Sequence, residues 1–217
     1  MSDVTLTCSV SVDGFATGPD GDLSRLHRWL FDFESNHPLA YEDENMAEFR
    51  AAGAIIFGHT TFRSGEVPWG EADVFEAPVF VLTHVARPPL HRNGTTFTFV
   101  TGGPLQALTL ARSAAAERDV VIMGSPDVAR QFLAAGLVDR ILLHLVPVLL
   151  GAGTRLFDAL PSSVELECER MLPDDEAAQL AYRVRRGQHP IPERRQGVQK
   201  ESRKDNAGVF PSVTSPL

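Results

Sequence analysis

The stretch that decides the fold is residues 137–157, LVDRILLHLVPVLLGAGTRLF. Nearly every residue from 141 to 150 is apolar, and such a run is too short to span a membrane and too continuous for a strand with one wet face. It predicts an interior strand of an α/β sheet. Gly151 and Gly153 follow, and glycine beyond a strand lets the backbone turn sharply and approach a ligand closely. The stretch therefore predicts both a core strand and a site at its carboxyl end.

Apolar segments alternate with amphipathic helical segments along most of the chain. Strands are predicted over residues 4–12, 54–57, 78–82, 96–100, 120–123 and 141–150. Helices are predicted around Leu26, Trp29, Leu30 and Phe33 after an N-cap at Ser24, around Met46 and Phe49 after a cap at Asp43, and over residues 60–63, 105–116 and 128–135. Residues 164–171 and 178–185 alternate around a turn and predict a closing antiparallel pair. The expected fold is α/β with a mixed sheet.

Composition predicts one domain followed by a tail. The chain has 217 residues, of which 43% are hydrophobic, which is enough for a substantial core. Residues 187–217 are rich in Pro, Gln, Arg, Ser and Lys with almost no periodic apolar residues, so we expect a domain over 1–186 and a disordered tail over 187–217. The formal net charge of −8 gives no overall attraction to nucleic acid or to an anionic membrane. We expect neither as a partner.

The two cysteines and the first residues indicate the compartment. Cys8 and Cys168 lie in segments of alternating apolar residues and lack the spacing of metal ligands. We interpret both as buried free thiols in a reducing compartment. The first residues lack the positive charge and the long apolar run of a secretory signal, so a cytoplasmic location is expected.

Four turns at predicted strand ends collect small residues. They are Asp13-Gly14, Gly58-His59-Thr60-Thr61, Gly124-Ser125 and Gly151-Ala152-Gly153-Thr154. Gly, Ser and Thr at a helix start leave N–H groups and hydroxyls accessible to a phosphate, and the helix dipole favours its negative charge. Two such turns could hold two phosphates. The alternative is that each glycine only permits a turn or ends a helix.

Motifs of several other enzyme classes are absent from the sequence. There is no Gly-x-x-x-x-Gly-Lys-Ser/Thr loop, no His-Glu-x-x-His pair for zinc and no Gly-x-Ser-x-Gly elbow. Nucleotide hydrolysis, zinc proteolysis and serine hydrolysis are therefore not expected. The histidines are scattered, and we interpret His144, inside an apolar strand, as a hydrogen-bonded core or interface residue. No metal site is predicted.

Five short motifs occur in an order that resembles the dihydrofolate reductase-like superfamily. They are SVSVDGFA (9–16), IIFGHTTF (55–62), VVIMGS (120–125), GLVD (136–139) and PVLLGAG (147–153). More narrowly, about residues 4–185 are similar to proteins related to the reductase domain of bacterial riboflavin biosynthesis. The resemblance implies a mostly parallel mixed sheet flanked by helices with a C-terminal antiparallel hairpin. It also implies bound NADPH, hydride transfer to a small substrate, and pairing as a homodimer.

The resemblance implies cofactor contacts at three turns. In the family a Gly-Arg-x-Thr turn binds cofactor phosphates; here Gly58 and Thr61 match, Thr60 lies between them, and His59 replaces the arginine. A neutral imidazole offers a 2′-phosphate one donor and only part of a charge, whereas arginine offers a permanently charged bidentate fork. The preference between NADPH and NADH is therefore open. The family's later Gly-Gly is Gly124-Ser125. The third turn comprises Leu150, Gly151 and Gly153.

Substrate contacts are implied less specifically. Asp13 matches an acidic residue at the end of the family's first strand, where it either shapes the substrate pocket or caps the turn. Trp29 and Phe33 either line the substrate cavity or belong to the core. The riboflavin reductases typically have an acidic residue where this chain has Ile122, which argues against their own substrate.

We therefore predict an NAD(P)H-dependent reductase that transfers a hydride to a small heterocyclic, pterin-like or pyrimidine-like substrate. Asp13 is the predicted polar group near the substrate, and no residue stands out as a proton donor. The alternative is a non-catalytic nucleotide-binding or small-molecule-binding protein that retains the fold. The replacements at His59, Ser125 and Ile122 favour this alternative.

Overall fold

The structure, a computed structural model, describes residues 2–32, 37–38, 46–65, 75–92 and 94–185. Phe33, the predicted cap Asp43 and the predicted tail over 187–217 lie outside the described residues. The domain boundary at residue 186 accordingly remains a prediction. No helix among the described residues is long and apolar enough to cross a membrane.

The secondary structure follows the predicted alternation of strands and helices. The strands are β1 (Val4–Ser11), β2 (Phe15–Thr17), β3 (Phe31–Asp32), β4 (His37–Pro38), β5 (Ala54–Gly58), β6 (Val79–Leu82), β7 (Leu90–Arg92), β8 (Thr95–Val100), β9 (Val120–Met123), β10 (Arg140–Val146), β11 (Thr154–Arg155), β12 (Leu166–Leu172) and β13 (Ala178–Val184). The helices are α1 (Ser24–His27), α2 (Ala47–Arg50), α3 (His59–Gly65), α4 (Gly103–Ala115) and α5 (Pro126–Ala134).

A nine-stranded sheet organises the described residues in the order β12-β13-β10-β1-β9-β5-β6-β8-β7. The six strands from β10 to β8 in this order are parallel neighbours. β13 pairs antiparallel with β10, β12 with β13, and β7 with β8. The predicted mixed, mostly parallel sheet flanked by helices, with a C-terminal antiparallel hairpin, is thus confirmed.

Helices cover both faces of the sheet. α4 and α5 pack on one face, against apolar side chains of β1, β5 and β9 such as Leu6, Ile56 and Ile122. α3 packs on the other face through Phe62, among aromatic side chains of β5 and β8. β1 alternates between the two faces because successive strand side chains point in opposite directions. Its polar residue Ser9 is buried on the face away from α4 and α5.

Two of the predicted elements end earlier than expected. The helix expected around Leu26 to Phe33 ends at His27, and its first residue Ser24 hydrogen-bonds Asp22 instead of capping the helix. The strand expected to run from residue 141 to residue 150 ends at Val146, because Pro147 has no N–H for a ladder bond.

Cys8 is buried, as expected, but Cys168 is exposed, contrary to the expectation of a buried thiol. The physical reason is the position of its strand. β12 is the edge strand of the sheet, and its residues Leu166 to Glu169 are all exposed. Alternating apolar residues therefore marked a strand here without marking a buried one.

Candidate functional site

The carboxyl ends of the parallel strands form one edge of the sheet, and the chain leaves that edge in two directions. After β5 it passes through α3 on one face and returns as β6, the neighbour of β5 away from β1. After β9 it passes through α5 on the other face and returns as β10, on the far side of β1. The boundary between β5 and β9 is thus a topological switch point, where ligands of open α/β sheets bind.

A notch occurs at this switch point because β9 is short. β9 pairs with β1 only from Val4 to Thr7, and the Gly124 N–H donates to the Thr7 carbonyl at 2.9 Å. β1 continues for four more residues, to Ser11. β5 likewise extends beyond its pairing with β9, to Gly58. The turn from β9 into α5 therefore lies between two longer strands.

Two of the predicted cofactor residues meet in this notch. A Cβ added at Gly58 would lie 2.6 Å from the Ser125 hydroxyl oxygen and 3.1 Å from a Val128 methyl carbon. Ser125 has φ 53° and ψ 90°, which is a left-handed conformation that non-glycine residues rarely adopt. The Ser125 side chain thus fills the space that the absence of a side chain at Gly58 creates.

The start of α5 is open beside this contact. Gly124 has φ +54°, and a Cβ there would meet nothing within 4 Å. Ser125 makes no side-chain hydrogen bond to cap the helix. The first N–H groups of an α-helix have no partner within the helix, and Pro126 at the first position of α5 has none, so the donors here are the Ser125, Asp127 and Val128 N–H groups, which the Ser125 side chain does not cap. They provide donors, and the helix dipole provides positive potential, for an anion at Gly124.

The remaining predicted residues of the β5–α3 turn stand beside Gly58. His59 and Thr61 are half-buried, and Thr60 is exposed. Gly58 pairs in register with Leu82, so this turn lies next to the end of β6. The structure therefore brings Gly58, Gly124 and Ser125 together and puts the threonine hydroxyls at the adjoining strand end.

Asp13 joins the end of β1 to the turn after β10. Its carboxylate accepts hydrogen bonds from the Leu150 N–H at 3.1 Å and the Gly151 N–H at 2.8 Å. The Ser11 hydroxyl donates to the same carboxylate at 2.6 Å. The Ser11 bond lowers the pKa of Asp13 most, and the two N–H groups add to it, so that the pKa falls to about 2. The two amides predicted to face a cofactor are already used by this carboxylate.

Gly153, the third predicted residue of that turn, lies against the backbone of the β2 segment. It has φ +130°, and a Cβ there would lie 2.0 Å from the Thr17 carbonyl oxygen. The adjacent Thr154 pairs with Thr17 in the short β11–β2 ladder. The glycine is thus required for this close packing. Asp13, Leu150, Gly151 and Gly153 form a second group, which holds two loops together.

Trp29 lies in the core. Its side chain is 5% exposed, its ring stacks on His144 with centroids 4.7 Å apart, and its Nε1 donates to the Ser9 hydroxyl at 3.3 Å. His144 is buried, as expected for a core histidine.

Sequence reasoning missed two features at the same edge. Gly102 precedes α4 and Gly103 is its first residue, with φ +79° and open space at its Cβ position. A glycine pair followed by Pro104 after a strand could have been recognised as a helix start. The second feature is Arg87, in the loop after β6, which stacks on aromatic rings. No local pattern predicts that contact.

No group of three or more His, Cys, Asp or Glu side chains in the described part of the chain could hold a metal ion. The candidate site at the start of α5 consists of backbone N–H groups and hydroxyls. Such groups recognise phosphate and other anions.

Comparison with known sequences gives one family and one curated relative. The sequence profile of the family described as RibD C-terminal domain matches residues 2–180. The uncharacterized protein YwjB of Bacillus subtilis strain 168 is 24% identical over 177 residues, which cover 82% of this chain and 95% of YwjB.

Comparison with solved structures gives the same fold. A protein of Shewanella sp. PV-4, named as a riboflavin biosynthesis protein, has a TM-score of 0.65 at 22% identity. The match covers 85% of this chain and 99% of that protein. A pyrimidine reductase-like protein of Corynebacterium diphtheriae has a TM-score of 0.59 at 16% identity, and the match covers 86% of this chain and 93% of that protein.

Proposed function

This chain belongs to the RibD C-terminal domain family, and we propose that it is an NAD(P)H-dependent reductase acting on a small heterocyclic substrate of pyrimidine or pterin type. The observation that supports the proposal best is the open, uncapped start of α5 in the notch between β1 and β5. An uncapped helix start at a topological switch point is suited to a phosphate group. The name of the Corynebacterium diphtheriae protein, pyrimidine reductase-like, is the basis for the proposed substrate type.

A nicotinamide dinucleotide fits the donor groups at this edge. Its diphosphate would be held by the N–H groups of the first α5 turn above the uncovered Gly124 backbone, whose own N–H donates to Thr7, with Ser125 and Gly58 as the floor of the notch and the Thr60 and Thr61 hydroxyls at its side. Gly124 fits because no side chain covers its backbone. When bound, the dinucleotide supplies the hydride. The chain has only to orient the two reactants and to exclude water, which is consistent with a sequence that has no catalytic triad.

We assign Asp13 to positioning. With a pKa of about 2 it is ionised at neutral pH, and its carboxylate accepts three hydrogen bonds from the chain itself. It therefore has no proton to donate, and its role is to hold the turns after β1 and β10 together. We propose that the proton needed by the reduced substrate comes from solvent.

A non-catalytic binding protein is the second candidate, and one observation favours it. The Ser125 side chain occupies the space beside Gly58 where the family's usual second glycine would leave a gap. A protein that kept the phosphate-binding turn but narrowed it in this way could bind a nucleotide without aligning it for hydride transfer. The two candidates predict the same binding and different turnover.

We also propose that two copies pair through β12. This edge strand exposes Leu166 and Met171, the second with 60% of its surface accessible. An unpaired edge with exposed apolar side chains is a template for pairing with another strand. Light scattering should give twice the chain mass, and a Met171→Lys variant should give the single-chain mass. A wild-type protein of single-chain mass would contradict the proposal.

Cofactor binding is tested by titrating the protein with NADPH and NADH while following tryptophan and nicotinamide emission. We expect saturable binding, and we expect Gly124→Ala to weaken it by about tenfold or more, because the methyl group covers the amides of the notch. Gly136→Ala is the matched control: Gly136 lies just beyond the other end of α5, with φ +64° and open space at its Cβ position. An equal effect of the two variants, or no binding by the wild type, would contradict the proposed site.

Turnover separates the two candidates. The loss of nicotinamide absorbance is followed with oxidised pyrimidine and pterin compounds as substrates. Reduction of one of them supports the enzyme. Saturable cofactor binding with no reduction of any compound, also in a Ser125→Gly variant, would instead favour the binding protein.

A further inference from the structure

Arg155 is an exposed cation that the chain holds in place near the end of β1. It lies in β11, and its Nη1 donates to the Asp13 carbonyl oxygen at 2.9 Å. Its guanidinium carbon is 4.4 Å from the centre of the buried Phe15 ring. A guanidinium within about 6 Å of an aromatic face is attracted by the ring quadrupole. The ring and the carbonyl therefore orient this side chain, although it is exposed.

The ladder that carries Arg155 is anchored in the core. Arg155 pairs with Phe15 where β11 meets β2. Successive strand residues point to opposite sides, and the next residues along, Ala16 and Leu156, are buried in the same apolar cluster as Val128 of α5. Arg155 thus lies on the outer side of a ladder whose inner side packs into the core that α5 covers.

The guanidinium lies at the strand next to the notch. Asp13, its hydrogen-bond partner, follows the last residue of β1 by two positions, and β1 is the neighbour of β9 in the sheet. Neighbouring strands are about 4.8 Å apart. A substrate that receives a hydride has to contact the nicotinamide ring of a cofactor held at the notch. The end of β1 is an adjacent position for this second reactant.

The cation has no counter-charge from the part of the chain that the structure describes. Residues 9–19 and 146–157, the two segments that meet here, contain one acid, Asp13, and one base, Arg155. The Asp13 carboxylate accepts from the Leu150 and Gly151 amides, and only its backbone carbonyl meets Arg155. One N–H group and one face of the guanidinium are thus used. Its other N–H groups can form a bidentate fork with an anion.

Exposed apolar side chains occur on the same two segments. Val12 is 58% exposed and Leu149 is 72% exposed. The segments are joined here, because the Val12 N–H donates to the Val148 carbonyl at 3.0 Å. Ligand sites combine apolar walls with a few polar groups that fix orientation. This surface suits a flat heterocycle that carries one anionic substituent.

A single cation favours a carboxylate over a phosphate as that substituent. A phosphate group carries close to two negative charges and three acceptor oxygens at neutral pH, and helix N-termini or clusters of arginine recognise it. Here the Leu150 and Gly151 amides already donate to Asp13, and the two segments contain no second base. A carboxylate has one charge and two coplanar oxygens, which match one guanidinium fork.

We propose that Arg155 binds a carboxylate of the substrate, so that the protein acts on a heterocyclic carboxylate and not on a neutral or phosphorylated heterocycle. The inference rests on the proposed function, because it names the substrate class of the same reductase. The backbone donors of the turn after β10 are used within the protein. The side chain of Arg155 is the group of this turn that can still meet a ligand.

Calorimetry with three pairs of compounds tests the proposal: pterin-6-carboxylate and pterin, orotate and uracil, and uridine 5′-monophosphate and uridine. Each is titrated into the full chain with and without NADP⁺, which has no hydride to transfer. We expect the wild type to bind at least one of the two carboxylates about tenfold or more tighter than its neutral parent. Arg155→Gln should remove this preference and leave the Kd of the neutral parent unchanged.

Three controls separate recognition from a structural role. Arg155→Lys keeps the charge without the fork and should retain part of the preference. Arg118→Gln removes an exposed arginine that precedes β9, at the opposite edge of the sheet, and should leave every Kd unchanged. The Kd of Arg155→Gln for NADPH should equal that of the wild type. Melting curves verify folding, and a residue that only held the loop would change Tm without changing the carboxylate preference.

Several outcomes would overturn the inference. They are equal wild-type affinity for each carboxylate and its parent, a preference that survives in Arg155→Gln, and binding of none of the six compounds. Loss in Arg155→Gln of only a preference for uridine 5′-monophosphate over uridine would replace the carboxylate by a phosphate. In all these cases NADPH binding by the wild type leaves the proposed function standing. A wild type that does not bind NADPH would overturn the proposed function, and with it the assignment of the carboxylate to a substrate.

Discussion

The turn after β9 and the turn after β10 look alike in the sequence and differ in what their backbone donors do. Each follows a buried parallel strand and carries glycine with a small or hydroxyl residue. After β10 the Leu150 and Gly151 amides donate to Asp13, and Gly153 packs on Thr17. After β9 the Gly124 N–H donates to Thr7, but the space above Gly124 is open and no side chain caps the start of α5. A glycine-rich turn is thus a candidate ligand site only when its donors are not already used within the protein.

The comparison assigns a structural role to one turn and a binding role to the other. Changes after β10 should act on stability. Changes at the notch should act on ligand affinity, and on stability only where a new atom meets Ser125. Each variant below changes a residue in one of these two regions.

Gly153→Ala should have the largest effect. A methyl group 2.0 Å from the Thr17 carbonyl oxygen cannot be accommodated without moving backbone, and φ +130° is strained for alanine. We expect a loss of about 3–5 kcal/mol in the free energy of unfolding. Urea unfolding measures it.

Gly151→Ala is the matched control for this variant. It has φ +71° and no atom within 4 Å of the Cβ position, so only the backbone conformation opposes the methyl group. The expected loss is about 1 kcal/mol. Equal losses for the two variants would show that the packing of Gly153 on Thr17 is not what holds this turn.

Gly58→Ala should have an intermediate effect that depends on Ser125. Its methyl group would lie 2.6 Å from the Ser125 hydroxyl oxygen, which we expect to reduce stability by about 1–3 kcal/mol. In a Ser125→Gly background most of this loss should disappear, because the opposing side chain is gone. A double-mutant cycle measures the coupling. Additive effects would mean that the two residues are not in contact.

Asp13→Asn should change how stability depends on pH. The pKa of Asp13 is lowered from 3.8 to about 2 in the folded chain, so its stabilising effect is fully present above pH 3.8 and is lost as the pH falls toward 2. The variant lacks this titration. We expect it to be less stable than the wild type at neutral pH and to show a smaller further loss between pH 4 and pH 2. Thermal unfolding at a series of pH values measures both, and parallel curves would contradict the assignment.

Much of the fold was predictable because local pattern decides it. The continuous apolar runs at residues 54–57 and 120–123 give buried parallel strands within a residue of their predicted bounds. Gly136 lies two residues after the last residue of α5 and has φ +64°, the left-handed conformation expected of a glycine that stops a helix. The alternation in β12 gave the strand correctly and its burial wrongly, because an edge position is a property of the whole sheet and not of the segment.

Which of the glycine-rich turns has a structural role and which can bind a ligand was not predictable, because this depends on contacts between distant parts of the chain. Asp13 and Leu150 are 137 residues apart, and only the folded chain shows that this carboxylate uses the amides of that turn. Arg87 lies in a loop without a motif, and its contact with Phe99 follows from the pairing of β6 with β8. Residue types predicted which turns could bind phosphate. Tertiary structure determines which of them still has donors to offer.

Hydrogen exchange with and without NADPH tests the central claim most directly, that the cofactor binds at the start of α5 and not at the turn after β10. NADPH should slow exchange in peptides that cover residues 58–62 and 124–129. Exchange over residues 148–153 should stay unchanged, because those amides already donate to Asp13. Protection confined to residues 148–153 would contradict the account.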